Sequence, residues 1–556
     1  MTPTPLSVLE GGPAPELDLD TLPEALTRAA AAETSPSLVF VAHDGSETST
    51  GYRQLLDDAS RILAALRACG GRPGEKVILQ IDQDPLLLTA FWGCLLGGFV
   101  PMPVAAGSSP AQREAAPGLL HRVWTGYGRP RVITGPAVRI APETATDPHW
   151  DGAHLGRVDN LLAHEPDHAH HRAAPDDPAA LLLTSGSTGV PKAVTLTHRN
   201  ILSRSAATAL VNGLGPRTRT FNWMPLDHVG GLVMFHARDV YLGCHQVHAR
   251  TEWITADPLR WLASIDRHRA DTTWAPNFAF GLINDRAEQL AGRDWDLSCL
   301  RYIMNGGEAV HSSVVRTFLG LLSPFGLPQT AMYPGWGMSE TSAGVADCQF
   351  TAVATGEERY VPVGRPQPGT SVRVVDEHDR PVPVGTTGYL HVTGASVTSG
   401  YHDNPEHNRR SFTDDGWFRT GDLAYVRDGI LTVTGRADDV LAVGGTIYHG
   451  HEIEAVVEEL DFVEPTYTVA GAVTADGGGE AIAVFFHPRT GTADDGQLDA
   501  VRAHVLDTLG VRVRHVVPVA REDVPKTGIG KLRRAQLAQR FEAEHAADGT
   551  TRTAAA

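Results

Sequence analysis

The sequence predicts an α/β protein with three parts: a large N-terminal region of layered α/β subdomains, a β-rich subdomain, and a small α+β unit at the C-terminus. Three observations carry this. Short apolar strands alternate with helical apolar spacing as far as about residue 360. Strand-like runs separated by Gly/Asp turns follow. Beyond Arg436, helix and strand patterns make up a unit of about 120 residues, an ordinary domain size.

The elements can be justified in order. Residues 1–60 form an opening segment, and Arg53 to Ala68 places Leu55, Leu56, Ile62, Leu63 and Leu66 at helical spacing. Lys76 to Ile81 reads as a buried strand. Leu86 to Ala106 has no charge but carries Gly93, Gly97, Gly98, Pro101 and Pro103. Its apolar run before the first proline is too short to span a bilayer, so it reads as a buried helix turning into a strand. His164, His168, His170 and His171 lie in an Asp/Pro/Ala-rich connector. With no periodic scaffold to hold the rings, a solvated linker is favoured over a metal site. Ala179 to Thr184 is a short strand running into a Ser/Gly/Thr loop. Ser371–Asp376, Gly388–Thr393 and Gly429–Thr434 are the strands of the β-rich part. In the last unit Glu452–Leu460 and Asp495–Leu509 read as helices, and Tyr467–Val473 and Ala481–His487 as strands. The Ala/Thr-rich residues after about 543 read as a frayed end. There are no internal repeats.

Composition excludes several function classes. Hydrophobic residues make up 42% and charged residues 20% of the 556, which is globular rather than disordered. With 47 basic and 65 acidic residues the formal charge is −18. A field of that sign disfavours nucleic acid and anionic lipid as partners. Cys69, Cys94, Cys244, Cys299 and Cys348 are scattered, with no CxxC spacing. An odd, scattered set, and an N-terminus without signal-peptide character, point to a reducing cytoplasm.

Lysine is scarce: only Lys76, Lys192, Lys526 and Lys531 occur. Where arginine replaces lysine almost everywhere, the survivors mark positions that need a compact ammonium. Three of the four fall in two short Gly/Ser/Thr/Pro-rich stretches.

The first stretch is Thr184-Ser-Gly-Ser-Thr-Gly-Val-Pro-Lys192. Gly186 and Gly189 let the backbone approach an anion. The hydroxyls of Thr184, Ser185, Ser187 and Thr188 and the loop amides can donate to phosphate oxygens, and Lys192 adds a mobile positive charge. The chain has no G-x-x-x-x-G-K-[ST] loop. A plain Ser/Gly turn is the other reading of these residues.

This stretch resembles the signature loop of the adenylate-forming superfamily, which includes acyl-CoA synthetases, fatty acyl-AMP ligases, luciferase and nonribosomal peptide synthetase adenylation domains. The resemblance implies ATP-dependent activation of a carboxylate as an acyl-adenylate, with release of pyrophosphate. Tyr333-Pro-Gly-Trp-Gly-Met-Ser-Glu-Thr341 is similar to a second family motif. It implies that Trp336 lies against adenine, with Gly337 and Met338 beside it, that Ser339 contacts the α-phosphate and that Glu340 ligates Mg²⁺. The usual family tyrosine is tryptophan here. Asn305-Gly-Gly-Glu308 resembles the adenine-pocket segment, which assigns Gly307 and Glu308 to the nucleotide. Trp417-Phe-Arg-Thr-Gly-Asp-Leu423 resembles the motif whose aspartate, here Asp422, accepts from both ribose hydroxyls. Gly435-Arg-Ala-Asp-Asp439 resembles the hinge motif. Arg436 would reach the nucleotide and Asp438 would be the pivot between an N-terminal adenylation domain, 1–436, and a mobile C-terminal domain, 437–556. Pro525-Lys-Thr-Gly-Ile-Gly-Lys531 matches the C-terminal motif, in which Lys531 would be the catalytic lysine bridging the carboxylate and the α-phosphate.

Trp223-Met-Pro-Leu-Asp-His-Val-Gly-Gly231 resembles the P-L-x-H-x-x-G segment of acyl-activating members. His228 matches their histidine near the acyl carboxylate. Amino-acid-activating members instead carry an aspartate in an F-D-x-S context, which Asp227 does not share. The substrate is therefore expected to be a fatty or aryl acid without an α-amino group. Phe235, Trp274, Asn277, Phe278 and Gly307 are expected to wall its pocket. The likeness is greatest to fatty acyl-AMP ligase-like enzymes of polyketide and nonribosomal peptide pathways. Where the family usually has a lysine and an arginine after the hinge, Ala442 and Ile447 stand. That favours the phosphopantetheine arm of an acyl carrier protein over CoA as the thiol. No G-x-D-S-L carrier motif occurs, so the carrier is expected to act in trans. The competing readings are an acyl-CoA ligase, an enzyme passing the activated group to an amine (an amide ligase, or a diazotase activating nitrite), and a nucleotide-binding scaffold without turnover.

Overall fold

The computed structural model describes residues 5–32, 37–107, 109–184, 190–353, 359–443, 446–474, 480–526 and 532–553. Its largest layer is a nine-stranded mixed sheet. Six neighbouring strands, Met332–Met338, Tyr302–Gly306, Thr272–Ala275, Arg219–Asn222, His245–Ala249 and Leu38–Val41, run parallel. Antiparallel strands finish both edges: Ala343–Asp347 and Arg365–Pro366 on one side, Glu47–Thr50 on the other. A second, wholly parallel sheet orders Val100–Pro103, Lys76–Gln80, Arg131–Thr134 and His154–Arg157.

The helix Tyr52–Ala68 buries Leu55, Ala59, Ile62, Leu63 and Leu66, a spacing that places one face against the core. The following helix Asp84–Leu96 is buried from Leu87 to Leu96, because it is covered on all sides, and it runs into the buried strand Val100–Pro103. Among the described residues no helix is long and apolar enough to cross a membrane. The histidine-rich connector is tied down rather than free. His170 Nε2 meets Ser60 Oγ at 3.2 Å, and the His171 amide donates to Leu96 O at 2.7 Å. No group of three or more His, Cys, Asp or Glu residues that could hold a metal occurs among the described residues.

The β-rich part is a five-stranded antiparallel sheet ordered Val8–Glu10, Thr370–Val375, Gly388–Gly394, Phe418–Arg427 and Ile430–Arg436. Its core merges with that of the nine-stranded sheet, through Val372, Leu390, Phe418 and Leu431. Residues from Leu441 onward pack among themselves. Ile453, Val484 and Val501 fill one side of the sheet Val463–Thr474, Glu480–Pro488 and His515–Pro518, and Val469, Phe485 and Leu537 fill the other.

One expectation fails. The helix Arg534–Thr553 continues past residue 543, where the sequence reads as frayed. Ala543, Ala546 and Ala547 are strong helix formers, and propagation of an existing helix needs no new nucleus.

Candidate functional site

The strands Pro178–Thr184 and Lys192–Thr197 form a hairpin whose last pair is Thr184 with Lys192. Of the phosphate-loop candidates, Ser185, Gly186, Ser187, Thr188 and Gly189 lie outside the described residues, as does Lys531. At the base of the loop, Lys192 Nζ donates to His407 Nε2 at 2.9 Å and stands 5.4 Å from the centre of the Tyr401 ring. Burial lowers the Lys192 ammonium from its ordinary value, and the nearby Glu340 opposes that shift.

Glu340 sits in the tight turn Ser339–Thr341 between two strands of the large sheet and is buried. The Tyr401 hydroxyl donates to its Oε1 at 2.7 Å. Burial, reinforced by the Glu340 charge, pushes the Tyr401 phenol far above its ordinary value, so it stays protonated and acts as a donor. Neither Tyr401 nor His407 belongs to a sequence motif considered above. Their roles arise from the approach of the segment 400–407 to residues 192 and 340, which no local pattern reveals. Lys76 holds the same segment through His402 at 3.0 Å and Asp403 at 3.3 Å.

Asp422 and Arg436 face each other as register partners on adjacent strands. Arg436 Nη1 donates to Asp422 Oδ1 at 3.1 Å, and Trp336 Nε1 donates to Asp422 Oδ2 at 2.8 Å. The tryptophan that replaces the family tyrosine thus supplies an N–H that fixes the carboxylate. A carboxylate carries about four lone-pair sites, which is the acceptor chemistry that a pair of vicinal hydroxyls calls for. Met338 and Gly337 complete the strand that presents Trp336. Asp438 is exposed and lies 3.4 Å from Arg436 Nε.

On the acyl side, the Gly230 amide donates to His228 Nδ1 at 3.2 Å. In the neutral ring the proton is therefore on Nε2. Gly230 opens the π-helix Gly230–Ala237, a feature often found at functional sites. A Cβ at Gly230 would stand 2.2 Å from Trp274 Cζ3, so the indole occupies the space that a side chain at 230 would need. Asn277 Oδ1 accepts from Asn305 Nδ2 and from the His311 amide, each at 3.2 Å. Glu308 Oε1 accepts from the Phe278 amide at 2.7 Å, beside Gly307 at φ 88°. Phe235 is fully buried with the Arg238 guanidinium 4.8 Å from its ring centre.

Asp227 adjoins His228, and desolvation pushes its carboxyl up to about 6. Folding therefore takes up a proton between the ordinary carboxylate value and about pH 6. Asp227 leaves the fold undisturbed at the acid end of that window and costs stability as pH rises through it, fully so above about 6. Asp227→Asn is expected to melt higher than the parent chain, by a margin that grows from about pH 4 to pH 7 and then levels off. Melting curves across that range would refute this if the margin did not change with pH.

Comparisons with known proteins agree with this geometry. Residues 27–117 and 129–402 match the AMP-binding enzyme family. The chain is 32% identical over 545 residues to nonribosomal peptide synthetase apvA of Aspergillus terreus, covering 95% of this chain and 58% of that one. It thus spans little more than half the length of such curated relatives. Among solved structures, the McyG A-PCP complexed with phenylalanyl-adenylate superposes with a TM-score of 0.88 at 35% identity, covering 97% of this chain and 85% of that one. A multidomain structure of a keto acid-selecting nonribosomal peptide synthetase module superposes at 0.89 and 34% identity, covering 98% of this chain and 47% of that one. The match extends over well more than half the chain and includes the strand that carries Trp336 and the turn that carries Glu340. The chain belongs to the AMP-binding enzyme family, the adenylate-forming enzymes.

Proposed function

We propose that this chain converts a carboxylic acid lacking an α-amino group into its acyl-adenylate at the expense of ATP, and passes the acyl group to the phosphopantetheine thiol of a carrier. The observation that carries the first half is the buried Asp422 held between Trp336 and Arg436, a preformed acceptor for a ribose diol beside an aromatic face. The acid class rests on the segment around His228. Asp227 does not stand in the F-D-x-S context of amino-acid-activating members, and three residues on, the Trp274 indole fills the space beside Gly230. The similarity to a keto acid-selecting module favours a 2-oxo acid. The similarity to an adenylation–carrier pair favours a carrier thiol as acceptor.

In this reading the acid's carboxylate oxygen attacks the α-phosphorus and pyrophosphate leaves. His228 offers its Nε2 proton to the carboxylate and orients it. Lys192 and the hairpin loop hold the triphosphate. Trp336 lies along the adenine, with Gly307 at the pocket edge. Lys531 approaches from the C-terminal unit, which turns about Asp438 between the two half-reactions. Glu340 suits Mg²⁺, which is commonly held by one or two carboxylates together with substrate phosphates. When bound, the ion would neutralise triphosphate charge. Tyr401 fixes the rotamer of Glu340 for that task.

Acid-dependent ATP–pyrophosphate exchange over a panel of 2-oxo, aryl, fatty and amino acids tests the proposal. Exchange with amino acids alone, or with none of the panel, would sink it. Within the same assay, Trp336→Phe keeps a π-face and loses the N–H to Asp422. The KM for ATP is expected to rise about tenfold with little change in kcat, the effect of one lost hydrogen bond to a charged group. An unchanged KM would show that the N–H does not matter.

A further inference from the structure

Lys192 is an ammonium held by a neutral partner. Lys76 pairs with the Asp403 carboxylate at 3.3 Å, whereas Lys192 makes no ion pair among the described residues and gives its 2.9 Å bond to His407 Nε2. A lysine has donors only, so this bond fixes the ring: Nε2 accepts, and the proton of the neutral imidazole is on Nδ1. Burial, and then the Lys192 charge itself, hold His407 below its ordinary value, which keeps the ring neutral at physiological pH.

The chain around His407 is braced to hold that ring. Asn404 caps the helix Pro405–Ser411, with Pro405 at its first position, and its Oδ1 accepts from the His407 amide at 3.2 Å. Asn408 ties the helix back to Tyr401. Its Oδ1 accepts from the Tyr401 amide at 2.8 Å, and its Nδ2 donates to Tyr401 O at 2.9 Å. The Tyr401 ring then crosses the imidazole at 64°, with the ring centres 4.6 Å apart. The one carboxylate in this helix, Glu406, pairs with Arg410 at 2.6 Å.

A carboxylate in place of His407 would hold Lys192 and also cancel the charge that an incoming anion needs. With no acceptor there, a long side chain with several rotamers would have to be fixed each time an anion arrived. A neutral imidazole avoids both costs. We propose that His407 is a positioning residue for Lys192, keeping the ammonium in place with its charge uncancelled for the triphosphate. This rests on the reading above in which Lys192 holds the triphosphate.

Calorimetric titration of the full chain with MgATP and with AMP tests this without an acid substrate. His407→Leu is expected to weaken MgATP about tenfold and AMP by no more than about twofold. His407→Gln returns a neutral acceptor and should recover most of the loss. His407→Glu gives Lys192 a partner that competes with phosphate, so it should bind MgATP more weakly than His407→Leu. A residue serving only the fold would weaken both nucleotides together, and its glutamate variant would bind MgATP at least as well as its leucine variant. Either result overturns the proposal. Should His407→Leu fail to fold, the order of glutamine above glutamate carries the same decision. Lys192→Met separates this proposal from the reading beneath it. If Lys192→Met leaves MgATP binding unchanged, Lys192 does not hold the triphosphate and both fall. If it weakens MgATP while the His407 variants bind like the parent, the positioning role alone is lost.

Discussion

Asp422→Ala is expected to raise the ATP KM at least about a hundredfold while leaving the KM for the acid within a few-fold of the parent. Two hydrogen bonds from ribose hydroxyls to a carboxylate are at stake, at about 1.5–3 kcal/mol each. The side chain is 7% exposed, so water replaces it poorly. Its loss also takes the acceptor from Trp336 Nε1 and leaves Arg436 to Thr420 O at 3.2 Å and the exposed Asp438. Asp422→Asn separates shape from charge. It keeps one acceptor oxygen, and its cost should fall between those of alanine and the parent. Steady-state kinetics with each substrate varied in turn, beside a melting curve for each variant, give the answer. An ATP KM that stays put, or an acid KM that rises in step with it, would remove Asp422 from the ribose.

What could be read from the sequence lay in short motifs and apolar runs. Trp336, Asp422 and Arg436 were expected together from their resemblance to family motifs, and the structure joins them through the two bonds to Asp422. The strands Pro178–Thr184, Thr370–Val375 and Gly388–Gly394 lie within a residue or two of their apolar runs, and the helix Asp495–Leu509 matches its run at both ends. Tyr401 was illegible. It acts by reaching a glutamate 61 positions away in the chain, and nothing beside it in sequence says so. His407, 215 positions from Lys192, was hidden for the same reason. The scarcity of lysine was informative in a different sense from the one expected. Lys192 stands beside Tyr401 and near Glu340, but Lys76 and Lys526 do structural work. Lys526 Nζ lies 3.4 Å from the centre of the Tyr467 ring and donates to Thr466 Oγ1 at 3.2 Å. The π-helix at Gly230 was equally hidden, since its apolar run of Leu232, Val233, Met234 and Phe235 reads as any buried segment.

Lys531→Ala should slow adenylation by about 10²–10³-fold, the usual cost of removing one preorganised charge from a developing anionic transition state. Lys531 lies outside the described residues, but both ends of its loop are held. Lys526 and Leu532 form a bridge that closes the loop, and Arg534 Nη2 donates to Glu454 Oε2 at 2.7 Å. Lys526 and Arg534 both feel the charge of Glu308, so the base of the loop faces the segment that carries Glu308. Positioning a single ammonium where two anions meet is the kind of effect for which one side chain can matter so much. The second half-reaction offers the control. Thioester formation from synthetic acyl-AMP and a carrier thiol contains no meeting of two anions at phosphorus, so Lys531→Ala should leave it near the parental rate. Lys526→Ala should do the reverse of a selective lesion. By removing the cation over Tyr467, which burial already lowers to about 8, it loosens the whole C-terminal unit and should slow both halves together. Quenched-flow measurement of each half-reaction distinguishes the two variants. If Lys531→Ala slows both halves by the same factor as Lys526→Ala, the lysine supports the loop and the charge that joins carboxylate to phosphate must come from elsewhere.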